Sequence, residues 1–384
     1  MESPDEVFKN MVTKFNEKEN KNESEMIEIK KEMIKMLYDY CNTTTPENIY
    51  HLKQNLELNF SKKVKCKYCY LNTPVNYGCD LREIFYDRDN KLIDDGEEVL
   101  DLFNSKKLPD MWHIMTDIDD TLYPNTEHGT FIAGSDISWK QKTAYPGIKL
   151  FYRLFYKNEN CSEYSTILSA TPGCLKEKKL ENKLLHEILG KEYGFIQGIE
   201  SKGVILSHTS DILSNCVGHL CNINKSTNAN NISELFTIFG NTKFERFKQY
   251  LTLFPEYKIL FIGDNGQGDV LAGLQMIKYN SNCHVFIHKV SENGIDFKKS
   301  DEEDGTIERL HFFTNYYELA KKIQDIGIFT DINVNEIKNS IEKQVKKGTS
   351  FEKLYSSLLS GGRKHKKKTK KRADKKSRNS KKHN

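Results

Sequence analysis

Short apolar segments alternate with amphipathic segments between residues 112 and 288. The apolar segments have the length of buried strands and lie at 112–116, 164–170, 257–264 and 284–288. The amphipathic segments carry apolar residues at helical spacing and lie at 146–156, 175–189, 241–255 and 270–277. Strands that alternate with helices pair in parallel and are covered by those helices on both faces. The pattern therefore predicts an α/β fold with a Rossmann-like parallel sheet.

The regions that flank this alternation have other patterns. Residues 1–45 are charged with spaced apolar positions, which is typical of amphipathic helix, and 306–360 also indicate helix. The Asn-rich stretch 222–233 indicates a loop or an insertion. From these shifts we predict four parts, which are a partly helical N-terminal extension of unknown role (1–110), an α/β domain (111–300), a C-terminal helical region (301–360) and a disordered basic tail (361–384).

Acidic residues gather where two of the predicted strands end. Asp117, Asp119 and Asp120 follow the first strand, and Asp264 and Asp269 lie in "GDNGQGD" after the third. Carboxylates this close repel one another and lose hydration when packed, so we expect a cation to compensate them. Oxygen ligands with no nearby Cys or His set favour Mg²⁺ over zinc. Since ligands gather beyond the carboxyl ends of parallel strands, we predict a magnesium site there.

Two further groups suit a phosphoryl ligand at the same edge of the sheet. Ser169 ends the second strand, with Thr171 as an alternative hydroxyl donor. Lys243 begins the helix before the third strand, with Lys248 as an alternative. Carboxylates, a hydroxyl group and a lysine together suit phosphoryl transfer through an aspartyl-phosphate intermediate.

In chain order, "DIDDT", "TILSA", Lys243 and "FIGDNGQGD" resemble the four motifs of the haloacid dehalogenase-like (HAD) phosphohydrolase superfamily. By that resemblance Asp117 would be the nucleophile and Asp119 the general acid/base. Ser169 would bind the phosphoryl oxygens, and Lys243 would stabilise the phosphoaspartate. The resemblance thus implies that the protein is a phosphoric monoester hydrolase.

The same resemblance implies the metal ligands. Asp117 and Asp264 would hold Mg²⁺ together with the backbone carbonyl of Asp119, and Asp269 would assist. Thr121 would support the loop that holds these groups. The expected cofactor is therefore Mg²⁺.

A narrower similarity, over roughly 112–290, is to the catalytic domain of the fungal actin-patch-associated phosphatidate phosphatases. It rests on Pro146-Gly147 after the first motif, on "SATP" after the second strand, and on Phe254-Pro255 beyond the lysine. The spacing to Phe254-Pro255 favours Lys243 over Lys248. The similarity implies phosphatidate or another membrane lipid phosphomonoester as the substrate.

Access to the site is predicted to be open. The segment 122–145, between Thr121 and Pro146, is too short for a large cap domain, so we expect a short flap instead. An open site suits bulky substrates such as a lipid headgroup, a phosphoprotein or a nucleic-acid end.

The net charge of +4 combines two different regions. Residues 363–384 hold 13 Lys or Arg and one Asp, which gives +12, so the other 362 residues carry 45 basic and 53 acidic groups, or −8. A basic tail without aromatic residues suits non-specific attachment to an anionic membrane or to nucleic acid. Polynucleotide ends and phosphoproteins therefore stay as alternative substrates, and a non-catalytic binding module is a third hypothesis.

The nine cysteines are scattered and form no disulfide framework. Cys66, Cys69 and Cys79, and likewise Cys216, His219 and Cys221, raise the question of zinc, but neither set has paired CxxC spacing and unligated thiols are favoured. We find no signal peptide pattern and no apolar run long enough to span a bilayer. We expect an intracellular, cytoplasmic protein with peripheral membrane association. The composition and the "GGRKHKKKTKK" ending resemble proteins of giant DNA viruses, which would place it in the host cytoplasm or the virion.

Overall fold

The structure is a computed structural model of the 384-residue chain. It describes residues 2–16, 23–63, 81–87, 90–125, 136, 138–172, 183–190, 193–199, 229–266, 268–290 and 307–345. The two cysteine clusters, part of the predicted flap and the basic tail lie outside the described residues.

In the described part of the chain, six strands form one sheet. They are β1 (Met111–Thr116), β2 (Thr166–Pro172), β3 (Gly194–Ile199), β4 (Tyr257–Asp264), β5 (Cys283–His288) and β6 (Leu310–Phe313). Their order in the sheet is β3-β2-β1-β4-β5-β6, and every neighbouring pair is parallel. This is the strand order of Rossmann-like doubly wound sheets. The predicted α/β class and parallel sheet are confirmed.

Helices cover both faces of the sheet. They are α1 (Pro4–Asn16), α2 (Glu23–Thr43), α3 (Pro46–Lys63), α4 (Leu81–Phe85), α5 (Gly96–Ser105), α6 (Ile148–Phe155), α7 (Lys183–Leu189), α8 (Ala229–Leu253), α9 (Asp269–Tyr279), α10 (Tyr316–Asp325) and α11 (Asp331–Val345). Helices α1–α5, α8 and α9 share a buried core with one face of the sheet. Helices α6, α7, α10 and α11 share a second core with the other face.

Strand β4 contributes side chains to both cores. Ile259 and Phe261 belong to the core with α8, whereas Leu260 and Ile262 belong to the core with α6. Successive side chains of a strand point to opposite faces, so a strand that is covered on both sides must be apolar at every position. This is why residues 259–263 of β4 appear in the sequence as an uninterrupted apolar run.

A buried ion pair joins the N-terminal helices to the sheet. Lys53 of α3 lies 2.7 Å from a carboxylate oxygen of Glu256, and both side chains are at most 2% exposed. The ammonium also donates to the carbonyl of Leu253 at 3.0 Å and lies 4.9 Å from the ring centroids of Phe103 and Phe254. The N-terminal helices therefore pack directly against the end of α8.

Two polar contacts extend this packing along α8. The hydroxyl groups of Tyr86 and Thr252 lie 3.1 Å apart, and the Arg82 guanidinium donates to the Gln249 side chain at 3.5 Å. Because α8 also carries Lys243, the N-terminal helices brace the helix that supplies the predicted catalytic lysine.

The structure differs from the sequence predictions at β6, at β3 and at the start of α8. β6 forms the edge of the sheet inside the region expected to be helical, because its four residues are too few for a period to distinguish strand from helix. β3, "GFIQGI", was missed because glycines and a glutamine interrupt its apolar pattern. Helix α8 begins at Ala229, inside the Asn-rich stretch expected to be a loop. Lys243 therefore lies in the interior of a helix and not at its start.

We predict that Lys53→Met destabilises the fold by about 3–5 kcal/mol, because it leaves the Glu256 carboxylate buried without its partner. Lys149→Met is the matched control, since Lys149 pairs with Glu187 at 2.6 Å on the surface, with the two side chains 49% and 59% exposed. An exposed pair of this kind is screened by solvent and contributes little, so the control should unfold at nearly the same urea concentration as the wild type. Urea unfolding followed by circular dichroism measures both values, and equal losses would contradict the prediction.

Candidate active site

The site lies where β1 and β4 end side by side. The two strands stay paired up to Thr116 and Ile262, so Asp117 and Asp264 both lie at the carboxyl edge of the sheet. The amide of Asp117 donates to the carbonyl of Ile262 at 2.9 Å, which fixes the start of the loop after β1. The order of the strands reverses between β1 and β4, and open α/β sheets bind ligands at such a switch point.

Glycines bring Asp269 to the same place. Helix α9 begins at Asp269, and the preceding Gly268 has a φ of +88°. A Cβ at Gly268 would lie 2.3 Å from the carbonyl oxygen of Phe236, and a Cβ at Gly263 would lie 2.5 Å from the Asp269 carboxylate. That carboxylate accepts a hydrogen bond from the amide of Asp264 at 3.2 Å. Gly263 therefore permits the close approach of β4 and Asp269, and Gly268 permits the close approach of the start of α9 and α8.

Asp117, Asp264 and Asp269 form a buried acidic cluster. One carboxylate oxygen of each lies within 4.8 Å of the others, and none of the three residues is more than 4% exposed. Lys243 reaches the cluster from α8, with its Nζ 3.1 Å from Asp117 and 2.5 Å from Asp269. One ammonium group thus contacts two of the three carboxylates, which leaves an excess of buried negative charge when all are ionised.

Burial and mutual repulsion disfavour the charged carboxylates. Burial raises the pKa of Asp117 to about 6, and Lys243 opposes this rise whereas Asp269 adds to it. Burial, followed by the charges of Asp269 and Asp117, raises the pKa of Asp264 well above its usual range. Burial alone would lower the pKa of Lys243, but Asp117 and Asp269 outweigh it, so the net pKa is raised and the lysine stays protonated.

The acidic cluster fits a divalent cation. The Oδ2 atom of Asp264 is buried and has no hydrogen-bond partner among the described residues. A buried acceptor without a donor is costly, and a metal ion would satisfy it. The ligands are all carboxylate oxygens, which suit a hard cation better than zinc. Among the residues that the structure describes, this is the one group of three such side chains close enough to hold an ion.

The carboxylates of Asp119 and Asp120 have other contacts. Asp119 accepts a hydrogen bond from the side-chain amide of Asn125 at 2.8 Å. Asp120 accepts from the backbone amides of Asn125 at 3.1 Å and of Asp136 at 3.0 Å. The three aspartates of "DIDD" therefore have different contacts. Asp117 belongs to the acidic cluster, and Asp119 accepts from the Asn125 side chain. Asp120 accepts from the backbone amides of Asn125 and Asp136.

Backbone contacts hold the loop after β1. Asp120 has a φ of +55°, a left-handed conformation that Asp tolerates better than most residues. Its carbonyl lies 2.8 Å from Nδ1 of His288, and the Tyr316 hydroxyl donates to the carbonyl of Thr121 at 2.9 Å. The Thr121 hydroxyl is buried but makes no hydrogen bond within the described ranges. Thr121 therefore takes part in holding the loop through its backbone carbonyl, and His288 holds the loop at Asp120.

The remaining predicted residues are placed by β2 and α8. Ser169 is buried in β2, the strand next to β1, and pairs with Gln197 just before an irregularity in the register. Of the two candidate lysines, Lys243 contacts the acidic cluster, whereas Lys248 is 32% exposed and pairs with Glu245 at 2.8 Å.

Four supporting residues were not singled out from the sequence, namely Asn125, Asp136, His288 and Tyr316. Asn125 and Asp136 lie in an irregular segment without periodicity, and Tyr316 lies almost 200 residues from its partner. The one local signal was at His288, a polar residue that ends an apolar strand at the carboxyl edge of the sheet.

Comparison with known proteins found no matching protein-family model, no matching curated protein and no matching solved structure. Across the described helices, none combines the length and the apolar composition needed to cross a membrane. The interpretation of the site therefore depends on its own geometry and on its motifs.

We predict that Asp264→Asn stabilises the protein in EDTA at neutral pH by several degrees in Tm, because it removes one charge from the acidic cluster. Because the pKa of Asp264 is raised on folding, the carboxyl destabilises the fold once the pH exceeds its ordinary value, so this advantage should shrink as the pH falls toward that ordinary value. Added Mg²⁺ should raise the Tm of the wild type more than that of Asp264→Asn. Thermal unfolding measures all three effects, and a variant less stable than the wild type in EDTA would refute the prediction.

Proposed function

We propose that the protein is a Mg²⁺-dependent phosphatase of the HAD-like superfamily that acts through an aspartyl-phosphate intermediate. The observation that supports this most is the contact of Lys243 with Asp117 at 3.1 Å, within a buried cluster that includes Asp264 and Asp269. These residues come from separate segments of the chain, and they are the ones that the order of the motifs predicts. Perturbed buried carboxylates at a sheet edge are typical of functional sites.

In this proposal Asp117 is the nucleophile. One of its oxygens attacks the phosphorus, so that an O–P bond forms while the bond from phosphorus to the leaving oxygen breaks. Asp119 gives a proton to the leaving oxygen. A water molecule then attacks the phosphorus and gives a proton to Asp119, which releases phosphate and regenerates Asp117.

The other residues would stabilise the negative charge on the phosphoryl oxygens during these steps. Lys243, which stays protonated beside Asp117, would share its ammonium with the transferred phosphoryl oxygens. Ser169 would donate a hydrogen bond to the same oxygens from the neighbouring strand. Asp117, Asp264 and Asp269, with the backbone carbonyl of Asp119, would hold Mg²⁺, which when bound neutralises phosphoryl charge.

We propose phosphatidate or another membrane lipid phosphomonoester as the leading substrate class. The similarity to phosphatidate phosphatases supports this choice, and the +12 charge of residues 363–384 suits attachment to an anionic membrane. The same tail suits nucleic acid, so phosphorylated polynucleotide ends are the second candidate, and a phosphoprotein is a further one.

We predict that the purified chain hydrolyses para-nitrophenyl phosphate with Mg²⁺ and that Asp117→Asn lowers kcat by roughly 10⁴-fold or more. Lys243→Met should lower kcat by roughly 10²–10³-fold, because it removes a charged donor to the transition state. Lys248→Met is the matched control on the same helix and should keep its activity. Full activity in Asp117→Asn would rule out Asp117 as the nucleophile.

The basic tail separates the two leading substrate classes. If the substrate is a lipid, phosphatidate in mixed micelles should be hydrolysed faster than phosphorylated oligonucleotides or phosphopeptides, and this order should survive deletion of residues 363–384 in detergent. If the substrate is a polynucleotide end, the deletion should sharply reduce activity on oligonucleotides and flatten its dependence on salt. Phosphate release at several salt concentrations distinguishes the two.

A further inference from the structure

Asn125 contacts both aspartates that follow the proposed nucleophile. Its side-chain Nδ2 donates to Oδ1 of Asp119 at 2.8 Å. Its backbone amide donates to Oδ1 of Asp120 at 3.1 Å. The backbone of Asn125 is therefore held by one aspartate, while its side chain acts on the other.

The anchor that holds this backbone is itself rigid. Asp120 is 1% exposed, its second oxygen accepts from the amide of Asp136 at 3.0 Å, and its carbonyl is held by His288. Asp136 is fully buried and accepts hydrogen bonds from Ser138 and Tyr145. Asn125 is thus attached to a network of buried hydrogen bonds that leaves its backbone little freedom.

Asp119 needs such a partner for the chemistry. Asp119 is intermediate in exposure, whereas Asp117 is buried. A partly exposed carboxylate on a loop can adopt several rotamers unless a hydrogen bond favours one of them. A general acid acts only within hydrogen-bond reach of the leaving oxygen. A misplacement of about 1 Å can lower the rate by roughly 10²-fold.

We propose that Asn125 is a positioning residue for Asp119, and that its side-chain amide holds the Asp119 carboxylate in the orientation that protonates the leaving group. This inference rests on the proposed phosphatase function. It also accounts for the amide at this position, since a carboxylate there would repel Asp119 and an apolar side chain would remove the hydrogen bond from Nδ2.

Two aryl phosphates test this inference, because they differ mainly in how much the leaving oxygen needs a proton. Para-nitrophenolate leaves readily without one, whereas phenolate does not. Asn125→Ala should lower kcat/KM, which reports the steps up to formation of the phosphoaspartate and not its hydrolysis, by roughly 10²-fold for phenyl phosphate but by less than about threefold for para-nitrophenyl phosphate. The inhibition constant of inorganic phosphate should change little, since Asn125 does not touch the phosphoryl group in this account. Asn125→Asp should show the same dependence on the leaving group.

Comparison with Asp119→Asn tests whether Asn125 acts through Asp119. That variant should show the same dependence on the leaving group, and adding Asn125→Ala to it should have almost no further effect, because the two residues act as one unit. Gln141→Ala is the matched control, since Gln141 also donates a side-chain amide in this region, to the carbonyl of Asp136 at 2.9 Å. It should leave the ratio of the two kcat/KM values unchanged.

The outcomes separate this inference from the proposed function. Equal losses of kcat/KM on both substrates, or additive losses of kcat/KM in the double variant, would overturn the positioning role of Asn125 while the phosphatase proposal survives. Absence of any Mg²⁺-dependent hydrolysis by the wild type, or activity that persists in Asp117→Asn, would overturn both.

Discussion

The central constraint in the structure is an excess of buried negative charge at the carboxyl edge of the sheet. Asp117, Asp264 and Asp269 are buried together around the single ammonium group of Lys243. Burial raises the pKa of Asp117 and of Asp264, which means that the fold loses stability by keeping these carboxylates charged. A hard cation would neutralise the excess negative charge of the carboxylates, and a phosphoryl group would bind to that cation and to Lys243. The proposed chemistry follows from this electrostatic complementarity.

The scaffold places each member of the acidic cluster through a different element. Strands β1 and β4 end side by side and supply Asp117 and Asp264, while glycines let α9 approach with Asp269. Lys243 comes from the interior of α8, which packs against the N-terminal helices near the buried pair of Lys53 and Glu256. The N-terminal helices therefore support the site through α8, although they contribute no residue to the acidic cluster.

The sequence predicted the elements with strong periodicity and the motifs at their ends. β4 matches its predicted range because its centre, residues 259–263, is buried on both faces and is therefore apolar without a break. The order of the motifs indicated Asp117, Lys243 and Asp264. β3 and β6 were missed because an interrupted or four-residue strand has no distinctive period. The partners of the loop, such as Asn125 and His288, could not be predicted, since their roles arise from contacts between segments that the fold alone brings together.

The most direct test of the central claim is to identify the residue that takes the phosphoryl group. The enzyme would be quenched with acid during turnover of an aryl phosphate with Mg²⁺, reduced with borohydride, digested and analysed by mass spectrometry. Borohydride reduces an aspartyl phosphate to homoserine, so the account predicts homoserine at position 117 and its absence in unreacted enzyme. Homoserine at another aspartate, or none at all while hydrolysis proceeds, would contradict it.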